Sequence, residues 1–410
     1  MVRPLVLDEL VNSPDYNPQT QSPLFHRIPT EIRDFIFQYA LQEYCPPNVL
    51  AELPDLDVRH DHEPVEEASP SAGDEELQGV INAARSTARS QARQDYGYDW
   101  LRPDNVEPMT VTTALLRTCR RVYVETYRLP AAQKEHRFYM MRGGYGDKAV
   151  CSVDMLRSYF AHHLGTGVAL RSSPIAVNDN SGQVKIGGTR LEDIIAQRDM
   201  IRRVRLFTQQ YWLEDSNSHL HFWSLVANHT WLQPVEHLRI TIRRGDWWYW
   251  ESSNPLRINP FRTDVTTEGM YQDIERAAAQ AAAGEDNINP DFSPRAWGLA
   301  FQHLPNLKTL AMDFETAENQ RHELDRIVGW AVGWRLPLAP NPGGRPRFLS
   351  TQGRPVDKMS WRGQNWHAQG QWPPRRVGRR TRAVAAIRPP RLFVSTVTWV
   401  ACEDRLESGR

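Results

Sequence analysis

Large apolar residues recur at helical spacing in a segment near the N-terminus. Five of them follow one another at intervals of 4, 3, 1 and 3 residues, namely Ile28, Ile32, Phe35, Ile36 and Tyr39. This spacing places all five on one face of a helix, and Pro29 suits the first helical position. The pattern predicts an amphipathic helix within residues 24–41, and Pro46 and Pro47 forbid its continuation.

A second segment with helical periodicity covers residues 113–127. Its apolar face is formed by four residues: Leu115, Cys119, Val122 and Thr126. Thr112 or Thr113 is the candidate N-cap. Fully burying a large apolar side chain is worth roughly 1.5–3 kcal/mol, so neither helix is expected to leave its apolar face in water. We expect the two helices to pack against each other or against a partner.

The stretch between these helices, residues 46–109, has a composition that disfavours order. Residues 51–77 carry ten acidic side chains and a single arginine, together with several prolines and serines. Such a segment buries too little apolar surface to order itself. Residues 78–95 are rich in alanine and arginine, which favours a short basic helix. We predict a disordered acidic insert that interrupts one helical domain spanning residues 22–142.

Alternating apolar and polar residues predict a series of strands in the second half of the chain. Four segments follow or nearly follow this period of two: 202–208, 236–242, 306–314 and 391–400. Segments with helical spacing lie among them: 220–226, 296–304 and 318–334. Such interspersed helices and strands are typical of an α/β fold.

The spacing of the strands suggests a degenerate repeat. Leu206 and Ile240 are 34 residues apart, and Ile240 and Leu310 are 70 apart, close to one and two steps of a repeat. The segment Phe301-x-x-Leu304-Pro305-Asn306-Leu307-x-x-Leu310 resembles a leucine-rich-repeat unit. Helix–strand units stack because a single unit cannot cover its own apolar face. We predict an α/β (mixed α+β) protein, in which a small helical head joins a repeat-like body with a mostly parallel sheet.

Composition and charge exclude several classes of protein. The 410 residues include 49 Lys and Arg and 49 Asp and Glu, so no net charge draws the whole chain toward nucleic acid or an anionic membrane. The four cysteines are scattered and form no C-x-x-C pair, which is typical of reduced thiols. No apolar run is long enough for a signal peptide or a membrane span. We predict a cytoplasmic or nuclear chain without membrane association.

The chain carries no specific catalytic or metal-binding motif. Gly143–Lys148 lacks the spacing of a phosphate-binding loop, so a turn is the favoured interpretation. His219 and His221 lie close to Glu214 and Asp215, but no H-E-x-x-H or cysteine pair fixes a metal geometry. No G-x-S-x-G elbow is present. We therefore predict no enzymatic activity, no cofactor and no metal.

An arginine-rich tract over residues 375–391 is the strongest local charge cluster. Arginines at this density can contact phosphates, and Trp361, Trp366 and Trp372 lie before them where bases would stack. A solvated loop between two strands is the favoured interpretation. Nucleic-acid binding is kept as the least favoured alternative.

Four consecutive aromatic residues follow the strand at 236–242: Trp247, Trp248, Tyr249 and Trp250. Continued alternation would bury Trp248 and Trp250 on one face and leave the other two on the opposite face. Large aromatic residues near a strand end serve either as core or as anchors for a partner. All four are candidate target-binding residues, with core packing as the alternative.

The two N-terminal helices carry a resemblance to a known family. The motif Ile28-Pro29-x-Glu31-Ile32-x-x-x-Ile36-Phe37-x-Tyr39-Ala40-Leu41, followed by Leu115-Leu116-x-Thr118-Cys119-Arg120-x-Val122-Tyr123-x-Glu125-Thr126, resembles the F-box-like domain of uncharacterised fungal proteins. In F-box proteins this region binds the adaptor of a cullin-RING ubiquitin ligase, and a C-terminal domain captures the target. By resemblance five residues would face that adaptor: Ile28, Pro29, Ile32, Phe35 and Ile36. An ordinary F-box is contiguous, whereas here the insert separates the halves, so the stripe could instead be the core of the head.

These observations give a division of the chain and a functional hypothesis. We expect tails at 1–21 and 401–410, the F-box-like head at 22–142, a connecting helix and loop at 143–199 and the repeat-like domain at 200–400. The favoured function is an adaptor that recruits a protein target to a cullin-RING ligase. The alternatives are a stand-alone scaffold without ligase binding and the nucleic-acid-binding protein described above.

Overall fold

The computed structural model describes part of the chain, and the structural statements below concern that part. The described residues are 11–14, 16–44, 59–60, 102–103, 105, 110–140, 176–178, 184–186, 189–190, 200–214, 222, 226, 232–248, 250, 254–263, 265–284, 291–341, 344–362 and 391–403.

Short strands and helices alternate along these residues. The strands are β1 (Glu43–Tyr44), β2 (Arg59–His60), β3 (Thr110–Val111), β4 (Glu135–Met140), β5 (Ala176–Asn178), β6 (Val184–Ile186), β7 (Thr189–Arg190), β8 (Arg203–Thr208), β9 (His237–Ile242), β10 (Thr309–Ala317), β11 (Leu336–Leu338), β12 (Arg347–Ser350), β13 (Asp357–Arg362) and β14 (Arg391–Glu403). The α-helices are α1 (Pro23–His26), α2 (Thr30–Ala40), α3 (Arg120–Thr126), α4 (Leu129–Gln133), α5 (Gln210–Glu214), α6 (Thr267–Ala282) and α7 (Arg321–Ala331). Single-turn or short 3₁₀ helices cover Ala114–Arg117, Arg244–Asp246, Trp297–His303 and Glu318–Gln320.

A nine-stranded sheet forms the centre of the trunk. Its main path runs in the order β11-β12-β14-β10-β9-β8-β4, and β13 and β2 extend it beside β14. The four strands β4, β8, β9 and β10 are parallel and lie side by side in chain order. The predicted α/β (mixed α+β) class is therefore confirmed.

The register of the parallel strands corrects one detail of the predicted repeat. Leu206 lies opposite Ile240, as the 34-residue spacing predicts. Ile240 lies opposite Met312, whereas Leu310 lies opposite Leu238. Strand β10 is therefore offset by two residues from the simple repeat. Because side chains alternate between faces with a period of two, this offset leaves the predicted side chains on the core face.

The other half of the sheet is antiparallel. The predicted C-terminal strand is β14, which runs antiparallel to β10 and pairs on its other side with β12 and β13. The strands β11, β12 and β13 were not predicted, since β11 contains Pro337 and none of the three has a clean alternation of apolar and polar residues. The sheet is thus mixed, with its parallel part confined to four strands.

One face of the sheet carries the main core. Apolar side chains from alternate positions of β8, β9, β10 and β14 join one buried cluster with residues of α6, α7 and the 3₁₀ helix Trp297–His303. Trp334 lies within this cluster, where its ring stacks on Trp399 with a centroid distance of 5.8 Å. Trp399 in turn donates from Nε1 to the Ala331 carbonyl oxygen, at 3.2 Å. The helices therefore cover this apolar face. The opposite face carries the polar residues of β8, β9 and β10 together with a second, smaller apolar cluster of Ala317, Trp361, Leu392 and Val394.

The helices of the trunk agree with the predictions in two places and depart from them in a third. The segment predicted at 318–334 forms a 3₁₀ turn followed by α7, and the segment at 296–304 forms the 3₁₀ helix. Of the segment at 220–226, Phe222 and Val226 are described, and both are buried. Helix α6 was not predicted, although Met270, Ile274 and Ala277 recur at helical spacing and pack on the core together with Tyr271.

The two N-terminal segments meet in space. Arg33 of α2 forms an ion pair with Glu125 of α3, with a distance of 3.3 Å between Nε and Oε2. Next to the helices, β1 pairs with β3. The second segment is not one helix, because Cys119 has an extended backbone and its Sγ accepts a hydrogen bond from the Val122 N–H as an N-cap. The cap predicted at Thr112 or Thr113 is therefore wrong for α3.

Short parts of the sequence that were predicted as tail, insert or connection are ordered in the structure. Within the insert, β2 pairs with β13, and Arg102 is buried with an ion pair to Glu315 at 3.5 Å. In the predicted connecting region, β5, β6 and β7 form a small antiparallel sheet. In the tail, the Ser13 hydroxyl accepts a hydrogen bond from Arg120. The rest of these three segments lies mainly outside the described residues, and their predicted character stays a prediction.

Candidate functional site

Helix α2 exposes a row of large apolar side chains. The exposed fractions are 49% for Ile32, 67% for Phe35, 42% for Ile36 and 82% for Tyr39. Pro29 at the start of the helix is also exposed, and Ile28 is half-buried. The five residues that the F-box resemblance assigns to an adaptor thus lie together at this helix. Three of them, Ile32, Phe35 and Ile36, expose large apolar side chains to water.

The opposite face of α2 packs against the head. Arg33, Phe37 and Leu41 are buried there, at four-residue intervals. The helix is therefore packed through a face that contains an arginine, while its more continuous apolar stripe faces outward. In the described structure the stripe is therefore not buried as the core of the head.

Arg33 is buried because the head satisfies its guanidinium. Its Nη1 donates to the Ile28 carbonyl oxygen at 2.8 Å, and its Nε donates to Glu125 at 3.3 Å. The guanidinium of Arg121 also approaches Glu125, at 3.1 Å, and lies over the Phe25 ring at 4.2 Å. A buried charge is tolerated only with such partners. These contacts orient α2 so that its apolar stripe points away from the head.

A cavity of about 810 Å³ lies between α2 and the polar face of the sheet. The helix side contributes Phe35, Gln38, Tyr39, Gln42 and Glu43. The remaining walls come from the head and the sheet, namely Gln133, Glu135, Arg203, Val204, His237, Leu238, Arg239, Thr309 and Ala311. Phe35 and Tyr39 belong both to the exposed stripe and to this cavity, so the two features are continuous.

The strand register explains why polar side chains meet in the cavity. Arg203, His237 and Thr309 occupy one row across β8, β9 and β10, because Arg203 lies opposite His237 and His237 lies opposite Thr309. His237 Nδ1 and Thr309 Oγ1 are 2.7 Å apart. Burial lowers the pKa of His237, and the positive charge of Arg203 lowers it further. His237 is therefore neutral near pH 7 and can accept or donate one hydrogen bond.

Replacing Arg203 with glutamine should raise the pKa of His237. The substitution removes a positive charge that opposes protonation of the imidazole, while burial continues to hold the pKa below the ordinary value. An NMR titration of the imidazole proton resonances in both proteins measures this shift. An unchanged or lower midpoint in the Arg203→Gln protein would contradict the placement of Arg203 beside His237.

A buried charge cluster lies behind the cavity on the same face of the sheet. Asp313 accepts two hydrogen bonds from Arg239, both at 2.8 Å, and one from Arg205 at 2.9 Å. The hydroxyls of Thr241 and Thr396 also donate to it. Burial alone would raise the pKa of Asp313, but Arg239 and Arg205, with Arg102, hold it well below its usual range. The cluster fixes Arg239 at the cavity wall.

Sequence reasoning singled out Phe35 and Tyr39 of the cavity, but not its sheet residues or the supporting charge cluster. The signal was present in the strand alternation, since Arg203, Arg205, Arg239 and Asp313 occupy the positions between the apolar residues of β8, β9 and β10. That alternation assigns them to the face opposite the core. It does not show that α2 comes to lie over this face.

The structure corrects the prediction for the aromatic segment. Strand β9 ends at Ile242 and a 3₁₀ turn follows, so the alternation does not continue. Trp247 is 3% exposed and donates from Nε1 to the Glu315 carbonyl oxygen at 2.8 Å, which makes it a core residue. Trp248 and Trp250 are half-buried, and Tyr249 lies outside the described residues. None of the three described residues, Trp247, Trp248 and Trp250, is therefore an exposed anchor.

The remaining sequence candidates lie wholly or mainly outside the described residues. This holds for Gly143–Lys148, for His219, His221 and Asp215, and for the arginine tract except Arg391. Glu214 is described, and its carboxylate accepts hydrogen bonds from Gln210 and from the Asn259 N–H. Among the described residues, no group of three or more His, Cys, Asp or Glu is arranged to hold a metal ion.

Two more observations concern the chain as a whole: the character of its described helices and its similarity to known proteins. No helix within the described ranges combines the length and the apolar character that a membrane crossing requires. Comparison of the chain with protein families, with curated proteins and with solved structures finds no match.

Proposed function

We propose that this protein is a protein-interaction adaptor that docks onto the adaptor subunit of a cullin-RING ubiquitin ligase through the exposed stripe of α2. The trunk would then hold the protein target. The observation that carries the proposal is the exposure of Ile32, Phe35 and Ile36 on a helix whose other face is already packed. These are residues that the F-box resemblance assigns to the adaptor.

The spacing of the stripe supports docking into a groove. Ile32, Phe35, Ile36 and Tyr39 occupy positions i, i+3, i+4 and i+7 of α2. Amphipathic helices that bind hydrophobic grooves use this set of anchor positions. At roughly 1.5–3 kcal/mol per fully buried large side chain, covering the stripe would supply several kcal/mol toward binding. Contiguous exposed apolar residues of this kind mark interaction surfaces.

The head presents the stripe in an ordered form. Arg33 and Phe37 attach α2 to the rest of the head, so the helix exists before a partner arrives. A preorganised helix does not lose the conformational entropy of folding when it binds. The interruption between residues 46 and 109 does not separate the two halves of the motif, because Arg33 and Glu125 are in contact across it.

Replacing Ile32 with glutamate should weaken adaptor binding. The carboxylate would have to be buried without a partner in an apolar groove, which should raise the dissociation constant by at least roughly tenfold, or about 1.4 kcal/mol. The measurement is co-purification of the recombinant ligase adaptor with the full chain, followed by titration calorimetry. Ile32 is half-exposed, so the variant should fold.

The matched control is Gln38→Glu, which adds the same charge to the same helix outside the stripe. Gln38 is exposed, and this variant should bind the adaptor as the wild type does. Equal binding of the wild type and Ile32→Glu would remove the assignment to this face. Absence of adaptor binding by the wild type would leave the scaffold alternative, in which α2 docks onto a different protein.

A further inference from the structure

Lysine is scarce in this chain. Of its 49 basic residues 44 are arginine and five are lysine, although lysine is among the commonest residues of globular proteins. The five are Lys134, Lys148, Lys185, Lys308 and Lys358. Lysine and arginine carry the same charge, but the lysine amine is the group to which ubiquitin is attached. The composition therefore leaves few side-chain amines for this modification.

Some of the arginines are required by the fold. Arg239 donates two parallel hydrogen bonds to Asp313, both at 2.8 Å, and Arg243 donates two to Asp246, at 2.7 and 2.8 Å. The planar guanidinium matches a carboxylate in this paired geometry, and the compact ammonium of lysine does not. At such positions arginine has a structural cause.

Other arginines have no such cause. Four exposed arginines make no hydrogen bond or ion pair through the guanidinium with any residue that the structure describes: Arg27, Arg117, Arg295 and Arg354. A solvated position does not use the planar fork of the guanidinium, so lysine would carry the same charge there equally well. The contacts of the fold therefore do not explain the choice of arginine at these four positions.

The lysines whose side chains the structure describes are poorly placed to react. Lys308 Nζ is 2.6 Å from Glu236 Oε2, and Lys358 Nζ is 2.9 Å from Asp325 Oδ1. Each of these ion pairs must open before the amine can attack another group. Lys134 directly follows α4, which packs against α2, so a partner seated on the stripe of α2 lies close to it.

We propose that arginine stands in place of lysine on this surface so that the chain escapes ubiquitination by the ligase that it serves. This inference rests on the proposed function, because a ligase-bound adaptor is held beside the ubiquitin-loaded conjugating enzyme in every round of transfer. A captured target that offers lysines is modified, while the chain that holds it stays unmodified and serves again.

The chemistry of transfer explains why the exchange protects. The neutral amine of a lysine attacks the carbonyl carbon of the thioester that joins ubiquitin to the conjugating enzyme. A carbon–nitrogen bond forms, the carbon–sulfur bond breaks, and the enzyme's cysteine leaves as a thiol with the proton of the amine. The guanidinium of arginine stays protonated in proteins, so it has no free electron pair for this attack.

The test compares the full-length protein with a variant that restores amines at the four exposed positions. The variant combines Arg27→Lys, Arg117→Lys, Arg295→Lys and Arg354→Lys. Each protein is incubated with the reconstituted ligase, its activating and conjugating enzymes, ubiquitin and ATP, without a target, and mass spectrometry measures the ubiquitin attached to the chain. We expect the variant to be modified at least roughly twofold faster, because four exposed lysines are added to the original five.

The matched control replaces the same four arginines with glutamine, which removes them without adding an amine, and it should be modified as the wild type is. A smaller increase in the lysine variant, or no modification of either protein within a complex that forms, would overturn the inference. Co-purification with the recombinant ligase adaptor is measured first for all three proteins. No complex with the wild type would reject the proposed function and this inference with it, whereas a complex without the expected increase would reject this inference alone.

Discussion

The substitution Asp313→Ala should destabilise the trunk by about 3–5 kcal/mol, because it leaves a buried arginine without its counter-ion. Arg205 is fully buried, and its Nη2 is 2.9 Å from the Asp313 carboxylate. Arg239 loses two hydrogen bonds, and the hydroxyls of Thr241 and Thr396 lose their acceptor. No water can replace these contacts easily, since Asp313 itself has no exposed surface.

Chemical unfolding of the two proteins measures this loss. The matched control is Asp325→Ala, in which the lost partners are Lys358 at 2.9 Å and Arg321 at 3.9 Å. Those ion pairs are surface pairs, and their removal should change the free energy of unfolding by at most about 1 kcal/mol. Similar decreases in the free energy of unfolding for the two variants would contradict the burial of the Asp313 cluster. They would also contradict the fixed position of Arg239 at the cavity.

Two phenylalanines on opposite faces of α2 should respond very differently to truncation. Phe37 is 1% exposed, so Phe37→Ala should lower the stability of the head by about 3–5 kcal/mol. Phe35 is 67% exposed, and Phe35→Ala should change it by no more than about 0.5 kcal/mol. The residues are two positions apart on the same helix, which makes each the control of the other. Thermal unfolding followed by circular dichroism measures both.

Equal destabilisation by the two substitutions would mean that the apolar stripe is the core of the head. A larger loss of stability for Phe35→Ala than for Phe37→Ala would mean that α2 packs on the head through the opposite face. The account requires that Phe35 be dispensable for folding, because only a side chain that the fold does not need is available to a partner.

The sequence predicts the helix of the head but not its orientation. The spacing of Ile28, Ile32, Phe35, Ile36 and Tyr39 identifies an apolar stripe and thus a helix. Which face is packed depends on Arg33, whose partner Glu125 is 92 residues away along the chain. Local periodicity contains no information about such a contact. A buried arginine beneath an exposed apolar stripe is the reverse of the usual amphipathic pattern.

In the trunk, too, the local sequence pattern predicts some strands and misses those that depend on contacts between distant residues. The period of two predicts β8, β9, β10 and β14, because each has an apolar face that the core buries. It does not predict β12 and β13, which pair with β14, or β11, which pairs with β12. The cavity depends on both kinds of information. Strand alternation predicts its polar row, but it does not predict that α2, which is distant in sequence, forms the opposite wall.

The most direct test of the docking surface is hydrogen exchange of the full-length protein with and without the ligase adaptor. The account predicts that the backbone amides of residues 30–40 exchange more slowly in the complex, and that this protection disappears in Ile32→Glu and persists in Gln38→Glu. Unchanged exchange over residues 30–40 in a complex that demonstrably forms would contradict the claim that the exposed stripe of α2 is the adaptor-binding face.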